Sequence, residues 1–403
     1  MNKVFKAAVI GGGSAGLLCA VELLSGKDRF RGEDVIVLER NDRTGKKLVA
    51  TGNGQGNLSN AALSAENYSG DREFVSAFIG QFKSINLVLY LENIGIITEK
   101  DESGRIYPVS RQANSVLDII RAYLISKNCT CKTGFKAVKI QKNGALFYIF
   151  SENGEKIVAE NVLLAAGGKA AKQFGTDGSA YALATTFGHK ITPLYPSLVQ
   201  LKTEKEPVKG LKGIKHNVKA ALFDADRCIK QSAGDLLFTD YGVSGNAVFK
   251  LSDKVAELKN PLLKIDFLPD FTEVKLGEII KERINKGYFP QTDILNGLVH
   301  KKLGENIAKH SHGDLKVIIS GVKSYKIKIQ GTLGFDYAQT TKGGVDTEDV
   351  NSETYESKLC RGLYIVGEML DIDGECGGYN LTFAFVSGIT AAKSVKTNNY
   401  IKP

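Results

Sequence analysis

The stretch KAAVIGGGSAGLLCAVELL, Lys6 to Leu24, decides the fold class of this chain. A short apolar run ends at a glycine cluster, and the apolar helical stretch Leu17 to Leu24 follows at once. In Gly11-x-Gly13-x-x-Gly16 the first glycine permits a tight turn out of a strand, the second lets backbone approach a pyrophosphate, and the third lets helix pack on strand. The amides opening that helix, from Ser14 and Ala15, then face the phosphates. A second buried strand is predicted over Asp34 to Leu38 (DVIVL). It ends at Glu39, which completes a βαβ unit and places a carboxylate where ribose hydroxyls are bound. The same negative charge repels a 2′-phosphate and so disfavours NADP here.

Working outward, apolar residues at helical spacing predict helices over Glu73 to Leu91 and Gln112 to Lys127. From Cys131 to Ala159 the pattern changes to short alternating strands, with Asn143-Gly144 and Asn153-Gly154 as hairpin turns. This three-stranded meander feeds an apolar strand, Val162 to Ala166, that ends in Gly167-Gly168. A meander at this point is a habit of FAD domains rather than of simple NAD dehydrogenases. From Pro193 short strands and Lys-rich turns take over, then a helical region from about Thr272 to His310, then strands at Lys323 to Ile329. The last part returns to the opening pattern, with strand Gly362 to Gly367 and helix Leu381 to Val395. The expected fold is α/β: a Rossmann-like FAD-binding domain with a β-meander, interrupted by a β-rich module that carries a helical excursion. Its expected boundaries are residues 1–190 and 346–403 for the FAD domain, 191–270 and 313–345 for the β-rich substrate domain, and 271–312 for the helical insertion.

Composition excludes several classes. The 403 residues are 43% hydrophobic and 24% charged, ordinary globular usage, with glycine in excess at 43 residues. The net charge of +9 comes from basic residues dispersed along the sequence, so an expected partner is a small molecule and not nucleic acid. The apolar stretch from Ala7 stops at the glycines, too short for a signal or a span, which predicts no membrane association and a cytoplasmic location. Six scattered cysteines form no framework and are expected to be reduced. His300, His310 and His312 lack a carboxylate or thiol to complete a ligand set, so no metal is expected.

Two further segments are chemically dense. GKKLVATGNGQGNLSN, Gly45 to Asn60, reads as a ligand-wrapping loop in which Lys46 or Lys47 neutralises phosphate while Thr51, Gly52 and Asn57 reach a flavin edge. At the other end Gly367-Glu368 closes a strand, and Asp371, Asp373, Glu375, Gly377, Gly378, Tyr379 and Asn380 crowd the loop before a helix. Those acids either bind ribityl hydroxyls or face solvent. The helix, through Asn380 and Leu381, is expected to aim its N-terminal dipole at the flavin pyrimidine edge. Arg40, Val138, Ala166, Gly167 and Gly168 complete the expected cofactor set. The candidates for chemistry are Cys376, as a redox partner or nucleophile, and Tyr379, as a proton source.

Taken in order, GGGSAG, Glu39-Arg40, the Gly45 to Asn60 loop, GRIYPVSRQANSVLD from Gly104, AAGGKAAKQFGTDGSAYALATTFGHKITPLYPSLVQL from Ala165, GDLLFTDYGVSGNAV from Gly234, TTKGGVDTEDVNSETYESK from Thr340 and GLYIVGEMLDIDGECGGYNLTFAFVSG from Gly362 resemble the bacterial NAD(P)/FAD-dependent, or aminoacetone-oxidase-family, oxidoreductases over nearly the whole chain. That family includes a bile-acid ring reductase. The resemblance implies a two-dinucleotide-binding-domain flavoprotein whose Rossmann-like FAD-binding domain is interrupted by a β-barrel-like domain carrying a small helical insertion, with Gly11, Gly13, Gly16, Glu39, Lys47, Gly167, Gly367, Glu368 and Asn380 near FAD. The chain departs from the family pattern at Gln55 and Gly56, where Arg and Cys are usual, and at Asp240, Asn246, Phe383 and Phe385. The reading that follows is an FAD-dependent oxidoreductase passing hydride between flavin N5 and a small organic substrate such as an enone or steroid-like ring. With one glycine fingerprint, NAD(P)H visits the flavin only transiently. The alternatives are a flavin-dependent RNA-modifying protein and a non-catalytic flavin-binding redox sensor.

Overall fold

Ala7 to Ile10 are buried on both faces, as are Val35 to Leu38, and strands buried on both faces belong to a parallel sheet covered by helices. The structure, a computed structural model, describes residues 3–26 and 30–398, so the polar segment between Leu24 and Asp34 lies partly, at residues 27–29, outside the described residues. Strands β1 (Val4–Ile10), β2 (Val35–Leu38), β3 (Thr130–Lys132), β4 (Ala137–Asn143), β5 (Leu146–Ser151), β6 (Lys156–Leu164) and β7 (Leu363–Ile365) form one sheet. Its parallel part runs β3-β2-β1-β6-β7, the doubly wound order that reverses between β1 and β6. Ligands of such sheets bind at the carboxyl ends of the strands beside that reversal.

The expected third meander strand and the apolar strand after it are a single element, β6. Its first half, Lys156 to Ala159, pairs antiparallel with β5, and its second half, Val162 to Leu164, pairs parallel with β7. One long strand thus hands the same edge from the meander to the closing strand. The expected helix over Glu73 to Leu91 is two helices, α2 (Arg72–Ile85) and α3 (Leu87–Asn93), bent by 47° at Asn86, whose φ is +48°. Helix α1 (Ser14–Leu23) lies against the final helix α5 (Tyr379–Asn398), and α4 (Ala113–Ser126) buries Val116, Leu117, Ile120 and Leu124 in the same core. No single described helix is long and apolar enough to cross a membrane.

The chain divides into two compact units, residues 1–195 with 340–403, and residues 196–339. The second unit holds a closed antiparallel barrel in the order Leu201–Thr203, Gly242–Ser244, Arg227–Phe238, Lys215–Asp224, Pro261–Asp266 and Tyr325–Thr332. Val218, Ala220, Leu222, Leu263, Ile265, Ile327 and Ile329 alternate inward. Helices Glu273–Lys286, Lys301–Ser311 and Leu315–Lys323 add Leu276, Ile280, Leu303, Ile307, Ile318 and Val322 to the same core. Helix therefore continues to Lys323, beyond the 312 boundary, because Asp314 caps a further apolar-faced turn by accepting from the amides of Lys316 and Val317.

The outward positions of this barrel gather lysines that the sequence disperses. Lys264 stands directly opposite Lys326, with Lys328 and Lys219 on the same outward face. The ammonium of Lys264 lies 3.8 Å from the Phe223 ring centroid.

Candidate dinucleotide site

Gly11 ends β1 at φ +106°, and a side chain there would lie 2.4 Å from the Ala165 carbonyl oxygen at the end of β6. Gly16 is equally forced, since a Cβ would come 1.9 Å from the Gly11 oxygen. Gly13 differs: its φ is −86°, and a Cβ would meet nothing within 4 Å. The protein's own packing therefore explains the first and third glycines but not the second, which borders open space at the start of α1, where the Ser14 and Ala15 amides lie. That is the arrangement an anion-binding helix start requires.

Glu39, buried at 6% exposure, closes one side. One carboxylate oxygen accepts from the Gly12 amide (2.8 Å) and the other from the Asn41 backbone (2.8 Å) and side-chain (2.7 Å) nitrogens. These bonds fix the carboxylate at the strand end while the oxygen bound to the Gly12 amide retains acceptor capacity for a further hydroxyl. Phe135 donates its amide to the Glu39 carbonyl, and three residues on, Val138 sits half-exposed at the bulge of β4.

Arg40 turns to Asp177 at 2.7 Å and to the Gly175 carbonyl. Burial pushes the Asp177 carboxyl up, but hydrogen bonds from Arg40 and from the Ser179 hydroxyl and amide outweigh it and hold the carboxyl well below the usual range. Lys46 pairs with Asp42 at 2.6 Å, whereas Lys47 reaches Glu368 at 2.5 Å. Glu368 also accepts from the Thr341 amide and lies beside Gly168. Thr341 in turn takes the Lys169 and Ala170 amides on its hydroxyl, locking the segment that follows Ala166, Gly167 and Gly168. In the ligand-wrapping loop, Thr51 bonds back to the Leu48 carbonyl, and Gly52 and Asn53 are both left-handed.

The segment from Gly367 to Gly378 is not the solvated acidic loop that was one reading of it. The Gly367 amide bonds the buried Ser387 hydroxyl, Ile372–Gly374 is a short strand paired with Tyr68–Gly70, and buried Asp373 accepts from the Thr340 hydroxyl. Asn380 uses its side chain to bond both the amide (2.8 Å) and the carbonyl (2.6 Å) of Gly374. The Asn57 amide bridges the Ser59 carbonyl and the Gly378 N–H, joining the wrapping loop to the start of α5. Tyr379 and Leu381 are buried in the first turn of α5, and the Tyr379 carbonyl accepts from the Tyr68 hydroxyl. Cys376 is half-buried in the preceding loop.

Tyr181 escaped the sequence reading. It lies in the short helix Tyr181–Thr185 that follows Gly178, whose amide bonds the Gly168 carbonyl. Its hydroxyl is buried and has no hydrogen-bond partner among the described residues. Burial raises its pKa, and the carboxylates of Glu368 and Asp371 raise it further. Among the described residues no His, Cys, Asp and Glu cluster forms a metal site.

Comparison with known proteins identifies the family of the fold. The family model described as the HI0933-like protein Rossmann domain matches residues 5–394. The chain is 35% identical to a 3-dehydro-bile acid delta(4,6)-reductase of Clostridium scindens, covering 98% of this chain and 99% of that protein. It is 27% identical to a ribosomal RNA dihydrouridine synthase of Haemophilus influenzae, over 98% and 99% of the two chains. In fold it is similar to the 3-ketosteroid-delta4-(5alpha)-dehydrogenase of Rhodococcus jostii, with a TM-score of 0.52 at 14% identity over 98% and 97% of the chains. This chain belongs to the HI0933-like family of FAD-binding Rossmann-fold oxidoreductases.

Proposed function

We propose that this protein reduces a carbon–carbon double bond conjugated to a carbonyl in a small, steroid-like ring ketone, using FAD and an electron donor of the NAD(P)H type. The observation that carries the acceptor class is the full-length similarity to the bile acid delta(4,6)-reductase. The ring reduced by a dihydrouridine synthase is likewise a double bond conjugated to a carbonyl, so the two relatives share one chemistry on different substrates.

The residues present fit FAD. Gly13 and the amides of Ser14 and Ala15 would receive the pyrophosphate, Glu39 would take the adenosine ribose hydroxyls, and Lys47 with Glu368 would hold the ribityl–phosphate chain. Gly11, Gly16, Arg40, Lys46, Thr51, Gly52, Asn57, Val138, Ala166, Gly167, Gly168, Gly367, Gly378, Tyr379, Asn380 and Leu381 complete the shell. A bound reduced flavin supplies the hydride. The start of α5, at Tyr379 to Leu381, would offer the positive end of a twenty-residue helix to negative charge at a flavin edge. Tyr379 and Cys376 stand beside that helix start, and Tyr379 is the candidate to hand a proton to the substrate carbon that does not receive hydride. The test is to incubate FAD-loaded protein with NADH or NADPH and a 4-en-3-one steroid under anaerobic conditions. The expected product is heavier by two hydrogens; unchanged steroid with both donors rejects the reading.

A second reading, RNA modification, is favoured by the lysine face of the barrel. Like charges directly opposite on adjacent strands repel, and a polyanion relieves that. It requires that the protein bind uridine-rich RNA with an affinity that falls steeply with salt. Binding indifferent to salt, or absent, leaves the steroid-like reading alone.

A further inference from the structure

A buried phenol with nothing to bond to is destabilising, and Tyr181 carries one at the start of a helix whose first amide bonds the Gly178 carbonyl, while the Gly178 amide bonds the carbonyl of Gly168. The loop that leads into its helix is held from several sides: the Gly178 amide bonds Gly168, Asp177 bonds Arg40, and the Thr176 hydroxyl bonds the Ala171 carbonyl. Such bracing fixes the ring where it is, so the hydroxyl cannot turn to water without local unfolding. Gly168 leaves no room for a side chain, since a Cβ there would lie 2.5 Å from the Thr341 hydroxyl and 2.8 Å from the Glu368 carboxylate. Backbone and carboxylate thus converge on one edge of the dinucleotide site, and the Gly178 bond ties the start of the Tyr181 helix to it.

We propose that the Tyr181 hydroxyl is completed by the cofactor, donating a hydrogen bond to an oxygen of the ribityl–pyrophosphate chain of FAD next to Glu368. This inference rests on FAD being the resident cofactor and adds a residue to its binding shell. The phenol stays protonated in this role: burial and the carboxylates of Glu368 and Asp371 all raise its pKa. It is a donor and a positioning residue, not an acid of the reaction. A donor completed only by the cofactor also makes the cofactor part of the fold's stability, because binding removes the penalty.

The test uses Tyr181→Phe, which keeps the ring and removes only the hydroxyl, and compares two quantities in the full chain. The first is the dissociation constant of FAD, followed by flavin fluorescence. The second is the urea midpoint of the cofactor-free protein. The expected result is FAD binding weaker by about threefold to tenfold with a cofactor-free midpoint equal to or above that of the parent. Unchanged FAD affinity overturns the proposal. So does a cofactor-free midpoint that falls, because that marks the hydroxyl as bonded within the protein. The parent measured alongside separates the levels: if it binds no FAD, the cofactor assignment itself falls. If it binds and the variant binds equally well, only Tyr181 does.

Discussion

The three glycines of the fingerprint are not equivalent, and the difference is measurable. Gly11→Ala places a methyl 2.4 Å from a carbonyl oxygen on a residue at φ +106°, so it is expected to destabilise the fold by more than ~2 kcal/mol in urea unfolding. Gly13→Ala meets open space at an ordinary φ and should leave the cofactor-free protein within about 0.5 kcal/mol of the parent. Its FAD affinity should nevertheless fall by at least about tenfold, equivalent to ~1.4 kcal/mol. Equal loss of stability in both variants would contradict this division of roles. The Arg40–Asp177 pair gives a pH-dependent prediction. The folded Asp177 carboxyl is depressed, so its stabilisation is present above the unfolded carboxyl pKa of about 3.9 and is lost as pH falls toward the folded value. Asp177→Asn should therefore be less stable than the parent by about 1 kcal/mol near neutrality, a gap that closes as pH is lowered below the unfolded value. A gap independent of pH refutes the assignment. At this scale Glu39 was legible because a strand end announces it. Tyr181 was not, because a tyrosine in YALAT reads as packing until its hydroxyl is seen to lack a partner.

Elements were legible where periodicity decides them and illegible where a single residue interrupts it. From Glu73 to Leu91 the apolar spacing continues through the break, but Asn86 takes a left-handed conformation and caps α3 by accepting from the Leu89 amide. Asn tolerates this conformation better than other residues with a side chain. Asn86→Ala should cost about 1–2 kcal/mol and Asn86→Gly only a few tenths, as read by thermal or urea unfolding. Near-equal effects would show that the bend is not set there. The junction in β6 was missed for a related reason. Hairpin signals mark where strands turn, whereas Lys156 to Leu164 changes partners without turning, and only pairing reveals it. The loop from Gly367 to Gly378 looked solvated because acids dominate it. Asp373 is instead buried against Thr340, a contact between residues 33 positions apart that no local pattern carries.

Over the whole molecule, the doubly wound sheet was legible from its first twenty-four residues because the glycine spacing is a steric requirement of that fold and of few others. The lysine face of the barrel was invisible: Lys219, Lys264, Lys326 and Lys328 span more than a hundred positions, and strand register alone brings them together. If that face serves RNA, replacing Lys264 and Lys326 with Gln should weaken RNA binding and flatten its salt dependence by about 2 in log–log slope, leaving FAD affinity untouched. The proposed reduction of a double bond conjugated to a carbonyl is the central claim. Its most direct test is an anaerobic single turnover: the FAD-loaded protein is photoreduced and mixed with a 4-en-3-one steroid while the flavin spectrum is followed. The account predicts return of the oxidised flavin bands together with one equivalent of saturated ketone, whereas flavin that stays reduced in the presence of the steroid would contradict it.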